Sequence, residues 1–308
     1  MSGSTREIRR RVRSVKSIRQ ITRAMELVAA AKMQRAVAAV QSSRRYADLA
    51  WGMIHSITVG MDFRNHPLLA LRPRHRLLLI LLASNRGLAG GFNTRVTEAA
   101  RQYMSEQKRQ TPELEIETIS LGKKGRNDLL KHGLKLVAEF ERSERAITSA
   151  EVAPLANMIF QDYAAGKYDV VAVCYTDFIS MLRQEPRVKE ILPISARDHQ
   201  LGHLRNEEVT DNEEAIDQPE GYWQHLFEPD LESVLGATIP RLLDAQLYQA
   251  LLESVASEHA ARMMAMRNAS DAAVDLIDDL TLTYNQLRQS SITQELSEIS
   301  AGRLALGV

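Results

Sequence analysis

"RLLLILLASNRGLAGGFN", residues Arg76 to Asn93, sets seven apolar residues (Leu77 to Ala83) in front of a glycine-rich turn and the start of a helical run. The apolar run reads as a buried strand. Strand, glycine turn and helix together form the unit that often cradles a phosphate. The glycines Gly87, Gly90 and Gly91 give G-x-x-G-G, which matches neither G-x-G-x-x-G nor G-x-x-x-x-G-K-[ST]. No lysine follows them to reach a phosphate, and no acidic residue ends a second strand about twenty residues on, where a ribose would need one. Glycine also serves any turn that needs positive φ or a close backbone approach. The turn is therefore expected to be structural.

Working outward, the alternation continues. "TRVTEAARQYMSEQKRQ" reads as helix, "ELEIETISL" as strand, "KKGRNDLLKHG" as helix, "LKLVAEF" as strand, "SAEVAPLANMIFQDYAAG" as helix and "YDVVAVCYT" as strand. Alternating β and α segments with short turns predict a Rossmann-like, open, mainly parallel sheet over residues 75–222. Residues 197–221 are polar and acidic and read as an exposed loop.

Two much longer segments bracket this domain. Proline and glycine are absent from Ser4 to Trp51, and apolar residues recur at Ile8, Val12, Val15, Ile18, Ile21, Met25 and Val28. Ser4 and Glu7 have the spacing of a capping box. After Pro240 neither breaker occurs until Gly302, and Leu243, Leu247, Leu251, Val255, Met263, Met266, Ala273, Leu276, Leu280, Tyr284 and Leu287 mark a stripe. At 1.5 Å per residue these helices would reach roughly 70 and 90 Å. Each needs a partner for its stripe, so an antiparallel coiled coil of residues 1–60 and 230–308 is predicted, with loosely heptad spacing.

Over the whole chain 39 Lys and Arg balance 39 Asp and Glu, but the ends differ. Residues 1–50 hold twelve cationic side chains against three acids, and residues 230–308 hold five arginines against eleven acids. Opposite charge favours pairing of the two ends. Cys174 is the only cysteine, so no intrachain disulfide can form, and its setting "VVAVCY" marks a buried hydrophobe rather than a nucleophile. No apolar run approaches the ~20 residues needed to span a bilayer, and the start lacks a signal peptide's apolar core. A soluble chain is expected, meeting a membrane only through a partner.

Chemistry-bearing constellations are sparse. His199 and His203 stand at i, i+4 beside Asp198 and Glu207, but Gly202 and the polar setting favour a loop over a zinc-binding helix. Asp278 and Asp279 are adjacent, so on a helix they diverge by about 100°. No G-x-S-x-G elbow is present. The arginine-rich start lacks the aromatics that would stack on bases, which argues against nucleic acid. Neither catalytic residues nor cofactor or metal ligands are expected.

The strongest signal lies at the two ends. "STREIRRRVRSVKSIRQITRAMELVAAAKMQRA" resembles the N-terminal helix of the γ subunit of F-type ATP synthase, and "ESVASEHAARMMAMRNASDAAVDLIDDLTLTYNQLRQSSITQELSEI" resembles its C-terminal helix. The glycine-rich turn and "LFEPD" (Leu226 to Asp230) fit the same family. The resemblance implies a non-catalytic rotor whose coiled coil turns inside a ring of α and β subunits. Its α/β domain would be bound to ε and the membrane c ring. The location would be peripheral, on the cytoplasmic face of a bacterial plasma membrane, and the basic start would belong to the mature fold. The resemblance assigns Met25 to a coupling position facing a β-subunit loop, and Arg262, Gln289, Thr293 and Glu295 to polar ring contacts. It assigns His225, Phe227 and Glu228 to a foot facing the c ring. Ala89 stands where many members carry cysteine, the chloroplast insertion is absent, and "SAGRLALGV" with Arg303 replaces a smaller apolar tail. The alternatives are a nucleotide-binding α/β enzyme with helical arms and, third, a nucleic-acid-binding coiled coil.

Overall fold

The computed structural model describes residues 2–59, 72–142, 148–194 and 231–306. Helix α1 spans Ser2–Val59 and α5 spans Leu231–Leu306. Between them run β1 (Arg76–Leu82), α2 (Phe92–Gln110), β2 (Glu115–Leu121), α3 (Lys123–Lys131), β3 (Leu136–Phe140), α4 (Ser149–Ala164), β4 (Val170–Phe178) and β5 (Gln184–Leu192). The chain divides into two compact units: residues 1–30 with 262–308, and residues 31–261.

The larger unit carries one five-stranded sheet in the order β3-β2-β1-β4-β5. Strands β1 to β4 pair in parallel, with Leu77 opposite both Ile116 and Val170. The prediction of a mainly parallel open sheet therefore holds. Every residue of β1 from Leu77 to Leu82 is buried, which is what a central strand covered on both faces requires. On one face Leu77, Leu79 and Leu81 pack with Val96, Ala100 and Met104 of α2, and with Val170, Ala172 and Cys174 of β4. Each fully buried leucine contributes on the order of 2 kcal/mol relative to exposure, so this strand anchors the sheet.

Strand β5 was not expected. It pairs antiparallel with β4 and ends the sheet. Its sequence, "QEPRVKEIL", mixes charges with Pro186 and lacks a clean alternation. Such composition belongs to an edge, where proline and charge blunt further pairing. Arg74 grips Glu190 of this strand through two 2.9 Å bonds, and the Tyr103 hydroxyl donates to the same carboxylate at 2.9 Å.

Both long helices lie within residues 1–60 and 230–308 and run past the proline- and glycine-free spans. α1 begins before Ser4, so the expected capping box is not used; Glu7 instead accepts from Arg11 at 2.7 Å, one turn on. α5 begins before Pro240, which sits inside it. Gly236 stands four residues earlier, and its carbonyl is the one that the proline leaves without a helical N–H donor.

In the smaller unit the covered positions of α5 include a continuous row of Met266, Ser270, Ala273, Ile277, Leu280, Tyr284, Leu287 and Ser291. Their steps alternate four and three without a break, so the α5 side of the seam keeps heptad spacing. On α1 the seam runs through Thr5, Ile8, Val12, Val15, Thr22, Met25 and Ala29, with exposed Arg19 at the one skipped position. α1 leaves this unit after residue 30 and α5 enters it at residue 262, so the two run in opposite senses. The predicted stripe was partly misplaced. Ile18, Ile21, Val28 and Leu276 are 47–57% exposed. The seam takes small side chains at Thr22, Ala29 and Ser270, none of them in the predicted stripe.

Candidate functional site

In open α/β sheets, ligands settle in the crevice outside the carboxyl ends of the strands, where the strand order reverses. Here that point lies between β1 and β4. The crevice is filled by the chain itself. Ser254 of α5 donates to the Leu82 carbonyl at the end of β1 (3.5 Å), and Ser257 donates to the Thr176 carbonyl of β4 (3.1 Å). One residue further, Glu258 forms an ion pair with Arg142, whose side chain is 8% exposed against 3% for the glutamate. Arg142 also donates to the Ala83 carbonyl at 3.4 Å. Ser254, Ser257, Glu258 and Ala261 are spaced i, i+3, i+4 and i+7, so they form one face of the helix.

The glycine-rich turn serves this docking. Two of its residues bond to each other: Asn93 accepts from the Ser84 amide (3.0 Å) and donates to the Ser84 hydroxyl (2.8 Å). The Asn85 side chain donates to the Arg142 carbonyl at 2.7 Å. Phe92, the first residue of α2, is 1% exposed and packs with Ala89 and Ala261. A phosphate at a helix N-terminus would need that ground; an aromatic ring and a helix hold it instead. Gly122, after β2, has φ +103°, and a Cβ there would lie 2.3 Å from the Ala83 carbonyl oxygen. At Gly122 the carboxyl end of the sheet is thus built for close backbone packing.

The buried polar face on α5 escaped the sequence reading. Its signal was available in "SVASE" (Ser254 to Glu258), three polar residues at i, i+3 and i+4 inside an otherwise apolar stretch. From Gln246 to Ala261 nearly every residue is buried, including Gln246, Gln249, Glu253, Ser254, Ser257 and Glu258. A helix buried all round carries no single apolar stripe, so a stripe search passes over it.

The residues assigned to ring contacts all lie in the smaller unit. Met25 is half-buried on the seam of α1, and Arg262 is half-buried on α5. Gln289, Thr293 and Glu295 are exposed. The Thr293 hydroxyl donates to the Gln289 carbonyl (3.0 Å), and the Ser291 hydroxyl donates to Glu295 (3.4 Å). These five residues line two helices and do not converge on one centre. Beyond the seam's end, Ile292, Leu296 and Ile299 are 44–62% exposed along one face of α5. On α1, Arg6, Arg9, Arg10, Arg13, Lys16, Arg19 and Arg23 are all exposed. His225, Phe227 and Glu228, like His199, His203 and the acidic stretch 197–221, lie outside the described residues.

Titratable groups elsewhere have structural partners. Burial pushes the Cys174 thiol well above its ordinary range, and its Sγ donates to the Val96 carbonyl at 3.3 Å, in keeping with an inert core residue. Tyr168 is pushed up to about 12, first by burial and then by its bond to Glu117. Glu117 is lowered, chiefly by its bonds from Lys135 and Tyr168. Asp278 and Asp279 are both exposed. Among the described residues no cluster of three His, Cys, Asp or Glu side chains could hold a metal, and no helix is long and apolar enough to cross a membrane.

The family model described as ATP synthase matches residues 4–306. The ATP synthase gamma chain of Herpetosiphon aurantiacus is 41% identical over 99% of both chains, and that of Roseiflexus castenholzii is 40% identical over 98% of both. Among solved structures, a chain of the Euglena gracilis mitochondrial ATP synthase, described as OSCP/F1/c-ring, superposes with a TM-score of 0.64 at 18% identity, covering 99% of this chain and 95% of that one. A chain of the rotor of the same enzyme gives 0.60, covering 95% and 100%. At that identity the likeness concerns the fold. The chain belongs to the ATP synthase gamma-chain family.

Proposed function

We propose that this chain is the non-catalytic rotor of a rotary ATP synthase, turning inside the α/β ring and passing ion-driven rotation to the catalytic sites. The observation that carries this reading is the smaller unit: two helical segments from opposite ends of the chain, closed by a heptad seam, bearing outward cations and uncovered apolar residues. Exposed apolar surface of this kind marks a site that another protein covers. The physics of the task fits. A pseudo-threefold ring holds its sites in different states only if something asymmetric touches them differently, and contacts shift each equilibrium by their difference between states. A single off-axis pair of helices supplies that difference and, on turning, hands it from site to site.

In this reading Met25, Arg262, Gln289, Thr293 and Glu295 meet the ring, while His225, Phe227 and Glu228 meet the c ring beside ε. The chain sits peripherally on the cytoplasmic face of a bacterial plasma membrane. The nucleotide-binding alternative is disfavoured by the filled crevice between β1 and β4. Affinity purification of the tagged chain from its own cells tests the proposal. Recovery with α, β and ε in fixed stoichiometry supports it; recovery alone with bound nucleotide, or with RNA or DNA, refutes it.

A further inference from the structure

The polar face of α5 does more than fill a crevice. Apolar burial is non-directional: it holds a helix against a sheet but gives little resistance to sliding or turning along it. Hydrogen bonds weaken steeply with angle, and charge-assisted bonds are the stronger kind. α5 meets the sheet's carboxyl edge through hydrogen bonds to three backbone carbonyls, two of them consecutive at the end of β1 and the third on β4. These are the Leu82 carbonyl through Ser254, the Thr176 carbonyl through Ser257, and the Ala83 carbonyl through Arg142 and Glu258. The points belong to two neighbouring strands, so a turn of the helix about its own axis would strain the set together. Arg142 follows β3 and its carbonyl accepts from Asn85, so the pair also ties in the sheet's far side and the glycine-rich turn. Beyond Ala261 the helix continues unbroken to Leu306.

We infer that Arg142 and Glu258, with Ser254 and Ser257, form a torsional clamp that locks α5 to the α/β sheet, so that torque on the sheet passes to the helix under load. Arg142 and Glu258 are positioning residues, acting through the helix they hold. The inference rests on the rotor reading proposed above.

The test uses assembled ATP synthase in sealed vesicles, with the parent chain as control. Hydrolysis is measured with the ion gradient collapsed, and ions pumped per ATP are measured as the gradient builds. Glu258→Gln is expected to hydrolyse ATP at the parent rate without a gradient and to lose about threefold in ions per ATP against a high one. Arg142→Lys, which keeps the charge, is expected to retain most of the coupling. A merely structural pair would lower thermal stability without any dependence on load, so unchanged coupling in assembled Glu258→Gln overturns the clamp. Should that variant fail to assemble, Ala89→Cys with Ala261→Cys decides, since these positions pack together. Oxidation to the disulfide must leave pumping as in the reduced complex if sheet and helix turn as one body. Loss of pumping on oxidation, restored by dithiothreitol, refutes the clamp. If the parent chain itself drives no pumping, the rotor reading fails instead, and the two failures are distinct.

Discussion

Replacing Gly122 by alanine should open the sheet from its carboxyl edge. Gly122 has φ +103°, outside the range that L side chains adopt readily, and an added Cβ would sit 2.3 Å from the Ala83 oxygen and 2.8 Å from its carbonyl carbon. Both are backbone atoms at the end of β1, where the Ala83 amide donates to the Leu121 carbonyl at 2.9 Å, so no side chain can swing aside. Backbone strain of this type costs about 1–3 kcal/mol, and overpacking against a fixed neighbour adds about 1–3 kcal/mol. Gly133→Ala is the control. Its φ is +67° but nothing lies within 4 Å of the new Cβ, so only the left-handed cost of about 1–2 kcal/mol applies. The assay uses Cys174, the one cysteine, fully buried in β4 of the same sheet. Its labelling by a thiol reagent requires opening. At about 1.4 kcal/mol per decade, the mid-range cost for Gly122→Ala predicts labelling several hundredfold faster than the parent's, against roughly tenfold for Gly133→Ala. Rates within threefold of each other in the two variants would refute the packing argument.

Met25→Lys should assemble and hydrolyse ATP yet pump fewer ions per ATP, because a charge on a half-buried seam position can over-stabilise one rotor angle through a new ion pair; an unchanged ratio in vesicles returns Met25 to packing alone. Alanine at Gln289, Thr293 and Glu295 together should lower turnover of the assembled complex while circular dichroism stays helical, since all three are exposed; normal turnover contradicts their ring contacts. Calorimetry of the isolated chain should give no saturable ATP isotherm, and a micromolar 1:1 isotherm lost on changing Gly90 would overturn the structural reading of the turn. Tyr168, raised to about 12, favours its neutral form in the fold. Its contribution is whole below the ordinary tyrosine range near 10 and is lost as pH climbs from there through about 12. Ultraviolet titration of Tyr168→Phe should lack the phenol that ionises near 12 in the parent, and an unaltered titration curve counts against the assignment.

The sheet was legible because β1 is an unbroken apolar run and the segments after it alternate cleanly, which is what a strand buried on both faces leaves in a sequence. β5 was not, since its edge role selects charge and Pro186 over apolar alternation. The helical ends were plain, but their seam was drawn through apolar residues alone. Thr22, Ala29 and Ser270 are buried there although none was in the predicted stripe, and Ile18, Ile21 and Val28 are exposed. The docking face of α5 was hidden for a different reason. Its serines and glutamate are explained only by carbonyl oxygens from β1 and β4, whose approach depends on the tertiary fold.

The smaller unit also imposes an order in time. Its α1 portion is made first and its α5 portion last, with about 230 residues of the other unit translated in between. At about 5–20 residues per second, the first helix waits on the order of ten to fifty seconds for its seam partner. Throughout that interval Ile8, Val12 and Val15 lack the cover that α5 will bring, in a segment whose dense positive charge resists self-association. A chain that stops before its last helix cannot close the seam. Premature termination therefore yields a protein with no usable tip, so only ribosomes that reach the last helix release a part that fits the machine.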